Sequence, residues 1–133
     1  MNDDSLVFFD NDCLASFLWV QRTDIIDTLF KGRIRIPSEV IREIEKLQFT
    51  PSGSRVYGDL LKFIGGHTYA QVNMLVTSET FKIYRQLTGG HFGRRMGSGE
   101  AAALAHAKQE NGVVASNISV TLRTSVARMG WSL

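Results

Sequence analysis

Cysteine is nearly missing from this chain: Cys13 stands alone among 133 residues, so no internal disulfide can staple the fold. No apolar run approaches the roughly 20 residues that a membrane-spanning helix needs, which excludes a transmembrane reading. The three histidines and one cysteine form no spaced cluster of the kind that holds zinc. The N-terminal Met1-Asn2-Asp3-Asp4 is acidic where a secretory leader would be basic. Internal repeats, low-complexity tracts and linkers are absent too. Together these absences lead to the expectation of a single domain in the cytoplasm, with no membrane partner.

What is present is ordinary in amount and uneven in distribution. A hydrophobic fraction of 44% and a charged fraction of 21% suit a globular domain, and 133 residues are enough to bury roughly two thirds of the unfolded surface. The formal net charge of +2 points to no partner by itself. Residues 1–80, however, hold eight Lys/Arg against eleven Asp/Glu, whereas residues 81–133 hold seven against two. That asymmetry can set a basic surface beside an acidic pocket, which suits a polyanionic substrate.

Short apolar runs alternate with helical patterns. Leu6 to Phe9, Ile34 to Ile36, Val72 to Val76 and Val113 to Ala115 read as strands, being short, rich in branched or aromatic residues and bounded by turn formers. Helices are expected over Cys13 to Val20, Thr23 to Phe30 with Gly32 as a stop, Ser38 to Leu47, and Ser54 to Ile64 before Gly65-Gly66. Three more follow: one opened by Thr77-Ser78-Glu79 and ended at Gly89-Gly90, one over Ser98 to Glu110, and one from about Val120 to Met129. Strands joined by helical crossovers predict a parallel sheet covered on both faces, with ligands at the carboxyl ends of the strands.

The features that carry chemistry are acidic residues placed where apolar segments give out. Asp10 follows Leu6-Val7-Phe8-Phe9, at the carboxyl end of the first strand, where it can also cap the next helix. Asp12 is two residues on, as a second ligand or a first-turn charge. Glu43 borders the stripe of Val40, Ile41, Ile44 and Leu47, and an ordinary pairing with Lys46 competes for it. Glu100 opens an alanine-rich helix, where the helix dipole also favours an anion. Several carboxylates beside buried surface need positive compensation, and a divalent cation serves several at once.

In combination these segments resemble the PIN domain family of metal-dependent nucleases, which includes the toxin ribonucleases of bacterial toxin–antitoxin pairs. The resemblance rests on Leu6-Val7-Phe8-Phe9-Asp10-Asn11-Asp12-Cys13-Leu14, Ile36-Pro37-Ser38-Glu39-Val40-Ile41-Arg42-Glu43, Gly97-Ser98-Gly99-Glu100-Ala101-Ala102-Ala103-Leu104-Ala105 and Val113-Val114-Ala115-Ser116-Asn117. It implies a three-layer α/β/α sandwich around a parallel sheet of four to five strands. It puts Asp10, Glu43 and Glu100 on the family's acidic metal positions, and Asn117 where a further aspartate usually stands. The amide of Asn117 should weaken one metal position, and Asp12 is a candidate to compensate. Family members commonly continue through a last strand and a further short segment, whereas this sequence stops at Leu133.

The implied activity is hydrolysis of phosphodiester bonds in single-stranded RNA. Mg²⁺ or Mn²⁺ would be held by Asp10, Glu43 and Glu100, with Asp12 or Asn117 directly or through water. Oxygen-only donors favour such a hard cation over zinc. His91, Arg94 and Arg95 precede Glu100 and are candidates to grip substrate phosphates, a bidentate role that suits arginine. His67 and His106 read as surface residues. Trp19, Phe17 and Phe30 read as core or as a partner-binding face. By resemblance, a small antitoxin would occlude the site and the first helices would support a homodimer.

Two rivals come from other classes. Asp10-Asn11-Asp12 after an apolar strand looks like the opening Asp-x-Asp of haloacid-dehalogenase-like phosphatases, but Ala15 and Ser16 stand where a threonine is expected, and no late acidic pair follows a strand. The other rival is a PIN-like module whose altered fourth position has cost it catalysis, leaving RNA or protein binding.

Overall fold

Alternation along three short strands decides how the layers stack. The structure is a computed structural model that describes residues 5–91 and 93–116. Its strands β1 (Val7–Phe9), β2 (Ile34–Pro37), β3 (Gln71–Val72) and β4 (Val113–Ala115) form one parallel sheet in the order β3-β2-β1-β4. The register pairs Val7 with both Ile34 and Val113, Phe9 with Ala115, and Ile36 with Gln71.

Successive side chains on a strand point to opposite faces. Val7 and Phe9, with Ile34 and Ile36, join a core built with α1 (Asn11–Trp19), α2 (Thr23–Phe30), α3 (Ser38–Glu45) and α4 (Gly53–Gly66). Phe8 lies between them and turns the other way, against Ala103 and Ala107 of α6 (Ser98–Glu110). α5 (Glu79–Thr88) covers α6, with Leu87 packed among Met96, Ala101 and Leu104. The fold is therefore α/β, with helices on both faces of a four-stranded parallel sheet, compatible with the expected three layers.

The amino-acid choices explain the joints. Residues 101–107 of α6 are all buried, and five of the seven are alanines, whose small side chains let the helix lie close between sheet and α5. α6 ends on Asn111, which takes the left-handed conformation that asparagine tolerates (φ 58°). Gly112 then has no room for a side chain, since a Cβ there would lie 2.6 Å from the Leu6 carbonyl oxygen and 2.9 Å from Phe8.

The structure corrects three element boundaries. β3 holds only Gln71–Val72, and Leu75 and Val76 are 74% exposed in a turn. Its partner β2 ends at Pro37, which has no N–H to continue the ladder, and the Ser38 hydroxyl donates to the Val72 carbonyl at 3.0 Å. The third helix tightens after Glu45 into a 3₁₀ turn over Lys46–Phe49. The fourth begins at Gly53 and runs through Gly65 and Gly66, the pair expected to stop it. The expected helix over 120–129 lies outside the described residues. Among the described residues, no helix is long and apolar enough to cross a membrane.

One topological detail positions the site. From β1 the chain adds β2 and then β3 on one side, while β4 pairs with β1 on the other. The order therefore reverses between β1 and β4, and open parallel sheets offer a crevice at the carboxyl ends of strands where such a reversal occurs.

Candidate functional site

The crevice between β1 and β4 contains a pocket of about 260 Å³. Asp10, Asn11 and Asp12 enter it from the end of β1, Glu43 from α3, Gly97 to Glu100 from the start of α6, and Ser116 from the end of β4. Four acidic residues from three distant chain segments thus line one hollow.

Asp10 is the anchor. It is 6% exposed, and its Oδ1 accepts the Cys13 backbone N–H at 2.9 Å, so it caps α1. Burial raises its pKa above the ordinary 3.8, and the nearby Asp12 charge adds to this. Hydrogen bonds from Cys13 and Ser116 oppose both effects. Cys13 itself is pushed up to about 11 by burial and by the Asp10 charge, which makes it an inert thiol.

Two of the other carboxylates hold cations from the protein's own surface. Glu100 Oε1 accepts from Arg94 Nη2 at 2.9 Å, and Glu43 Oε1 from Lys46 Nζ at 3.3 Å. Arg94 and Lys46 are 65% and 72% exposed, so neither pair is locked in place. Among the described residues, no three His, Cys, Asp or Glu side chains converge as a ready-made cage. The donors fit a hard divalent ion in chemistry, being all oxygen and partly desolvated.

Comparison with protein-family models, with curated proteins and with solved structures gave no match. The reading of the site therefore rests on its residues alone.

Of the expected site residues, Asp10, Asp12, Glu43 and Glu100 are brought together. Arg94 reaches the pocket only through Glu100. His91 lines a different hollow, beside α5. Arg95 lies against Gly90, where a Cβ would meet Arg95 Cγ at 3.2 Å. Asn117 lies outside the described residues.

Of the two histidines expected at the surface, His106 is buried instead, while His67 is half-buried. His106 is 6% exposed and stacks on Phe8 with ring centroids 5.5 Å apart. Burial lowers its pKa below 6.5, against the opposing charges of Glu39 and Glu110. His67 bridges helices, with Nε2 2.6 Å from Asp27 Oδ1 and Nδ1 2.7 Å from the Phe63 carbonyl oxygen. The aromatic trio divides: Phe17 and Phe30 pack on the core, while Trp19 remains 43% exposed under the Arg55 guanidinium.

Two positions escaped the sequence. Ser116 follows β4 and touches Asp10, a contact that only the strand order creates. Glu39 is 7% exposed with Oε1 unpartnered, as is His106 Nε2. Glu39 stands in the first turn of α3, where a carboxylate ordinarily faces solvent, so nothing in the sequence announced its burial.

Proposed function

We propose that this chain is a metal-dependent nuclease of the PIN-like kind that hydrolyses phosphodiester bonds of single-stranded RNA. One observation carries the reading: Asp10, Asp12, Glu43 and Glu100 share one pocket at the point where the sheet order reverses. A hollow whose charged lining residues are all carboxylates has little use for a small anion and every reason to attract a divalent cation.

Mg²⁺ or Mn²⁺ would be held by Asp10, Glu43 and Glu100, with Asp12 in support. When bound, such an ion would make water a better nucleophile and offset the negative charge on the phosphoryl and leaving oxygens. The chain's own residues do the rest. Asp10 stays fixed by the Cys13 N–H and Ser116. Arg94, exposed and two-pronged, is suited to move from Glu100 to a substrate phosphate. The neighbouring basic loop counters the repulsion between RNA and the acidic pocket.

The test is cleavage of labelled single-stranded RNA with Mn²⁺, Mg²⁺ or EDTA, beside Asp10→Asn. Metal-dependent cleavage that vanishes in the variant is the expected result. A folded protein that cleaves nothing with either metal sinks the reading.

The pairs Arg94–Glu100 and Lys46–Glu43 favour a second reading, a PIN-like RNA- or protein-binding module in which protein cations have taken the place of metal. Metal binding by calorimetry separates the two. A toxin role with an antitoxin partner and a homodimer through the first helices belongs to the same proposal. Trp19 and Val20, exposed at the end of α1, suit such a contact, and light scattering of a monomer at high concentration would remove it.

A further inference from the structure

The loop that carries Arg94 also shapes a second hollow, opposite in charge to the first. It is open, about 490 Å³, and lined by Lys82, Arg85 and Gln86 of α5, by Gly89 and Gly90, and by His91. Two consecutive residues connect the hollows: Arg94 bonds Glu100 in the acidic pocket, and Arg95 packs over Gly90 in the basic one. Adjacent Cα atoms are about 3.8 Å apart, so a single peptide step spans the boundary. A second link runs through Tyr84, whose hydroxyl lies 2.9 Å from Ser98 Oγ. Ser98 lines the acidic pocket, and the next residue after Tyr84, Arg85, lines the basic one.

The carboxyl end of a helix ordinarily repels anions, because its last carbonyls are unpaired. Here three of the last four are taken. The Arg85 carbonyl accepts from Gly89 N–H, that of Gln86 from His91 N–H, and that of Leu87 from Met96 N–H. Thr88 Oγ1 covers the Tyr84 carbonyl at 3.0 Å. What remains facing outward is cationic: Lys82, Arg85 and Arg95 form no ion pair with any described carboxylate. Gly90 and Gly93, at φ 82° and 115°, give the loop the turns that bring it back beside α5.

We propose that this hollow binds the sugar–phosphate backbone of single-stranded RNA, holding a stretch of strand next to the phosphodiester that lies in the acidic pocket. The proposal rests on the nuclease reading and adds to it a track, with Lys82, Arg85 and Arg95 gripping phosphates outside the reacting one. An open trough suits a passing strand, where an enclosed cage would suit a free phosphate.

The test uses fluorescence anisotropy of a labelled 12-nucleotide RNA in EDTA across a salt series, with the full chain. Lys82→Ala/Arg85→Ala should weaken binding about tenfold and reduce the log–log salt slope by about 1.4, at ~0.7 for each phosphate of a single strand left without its cation. Lys82→Arg/Arg85→Lys should retain both. Lys31→Ala/Lys62→Ala, which removes two exposed cations elsewhere, should leave affinity and slope unchanged. Equal losses in the two alanine pairs would overturn the hollow in favour of diffuse attraction. An unaltered slope in a Lys82/Arg85 variant that melts like the wild type, while wild type cleaves RNA with Mn²⁺, would overturn the track and leave the nuclease reading standing. Wild type that binds the strand through Lys82 and Arg85 but never cleaves would support the track and overturn the nuclease.

Discussion

The Asp10 carboxylate accepts the backbone N–H of Cys13 at 2.9 Å, so one side chain both starts α1 and faces the acidic pocket. These two duties draw on different properties. Capping needs an oxygen acceptor, which asparagine also provides. A cation needs the negative charge.

Asp10→Asn should therefore remove activity while strengthening the fold. Burial raises the Asp10 pKa above 3.8, so the folded protein holds this proton more tightly than the unfolded chain. The associated stability is present below about pH 3.8 and is lost as pH rises through the folded value. At pH 7 the variant should gain roughly 0.5–2 kcal/mol without metal, and nothing near pH 3.5. Urea titrations at both pH values check this; a loss at pH 7 would contradict it.

Divalent metal should raise the melting temperature of the wild type. At 100 times the dissociation constant, linkage gives about 2.7 kcal/mol. Asp10→Asn and Glu100→Gln should each abolish most of that shift with Mn²⁺, as scanning calorimetry would register.

Arg94→Ala should tighten Mn²⁺ binding about 1.4- to 5-fold. The exposed bridge to Glu100 contributes ~0.2–1 kcal/mol that an incoming ion must displace. Calorimetric titration reads it directly, and weaker binding would show that Arg94 does not compete.

His106 should make the fold acid-sensitive. Its pKa is lowered by burial, so below about pH 6.5 the unfolded chain takes up a proton that the folded one refuses. Stability then falls by up to ~1.4 kcal/mol per pH unit until the folded value is reached. His106→Phe keeps a ring on Phe8 and has no orphaned nitrogen, and should flatten the decline between pH 7.5 and 5.5 in urea titrations.

Two glycine substitutions should differ in sign. Gly112→Ala drives a methyl into Leu6 and Phe8, at a cost of about 1–3 kcal/mol or more. Gly58→Ala sits within α4 with nothing within 4 Å, and should gain up to ~1 kcal/mol of helix propensity. Paired thermal melts separate them.

Much of this architecture was legible because local patterns agreed with tertiary needs. Asp10, Ser78 and Gly32 sit at helix ends as their chemistry predicts, and the apolar runs at Leu6, Ile34 and Val113 became strands. Leu75 and Val76 misled because apolar character alone cannot reveal that the neighbouring strand had ended at Pro37. His106 misled because polarity suggests exposure, whereas seven consecutive buried positions make α6 an interior helix. The meeting of Asp10, Glu43 and Glu100 was expected from resemblance, and their resting partners, Arg94 and Lys46, followed from surface geometry; the pairing of Glu43 with Lys46 had a three-residue spacing to announce it.

Because β4 docks beside β1, the first acidic residue of the pocket must wait for Ser116, the last described residue. Asp10 leaves a ribosome 106 residues before Ser116. At about 5–20 residues per second that interval is roughly 5–20 s. A nascent chain thus carries its carboxylates apart during synthesis. Assembly of the pocket therefore waits for β4, because Asp10 meets Ser116 only once that strand has paired with β1.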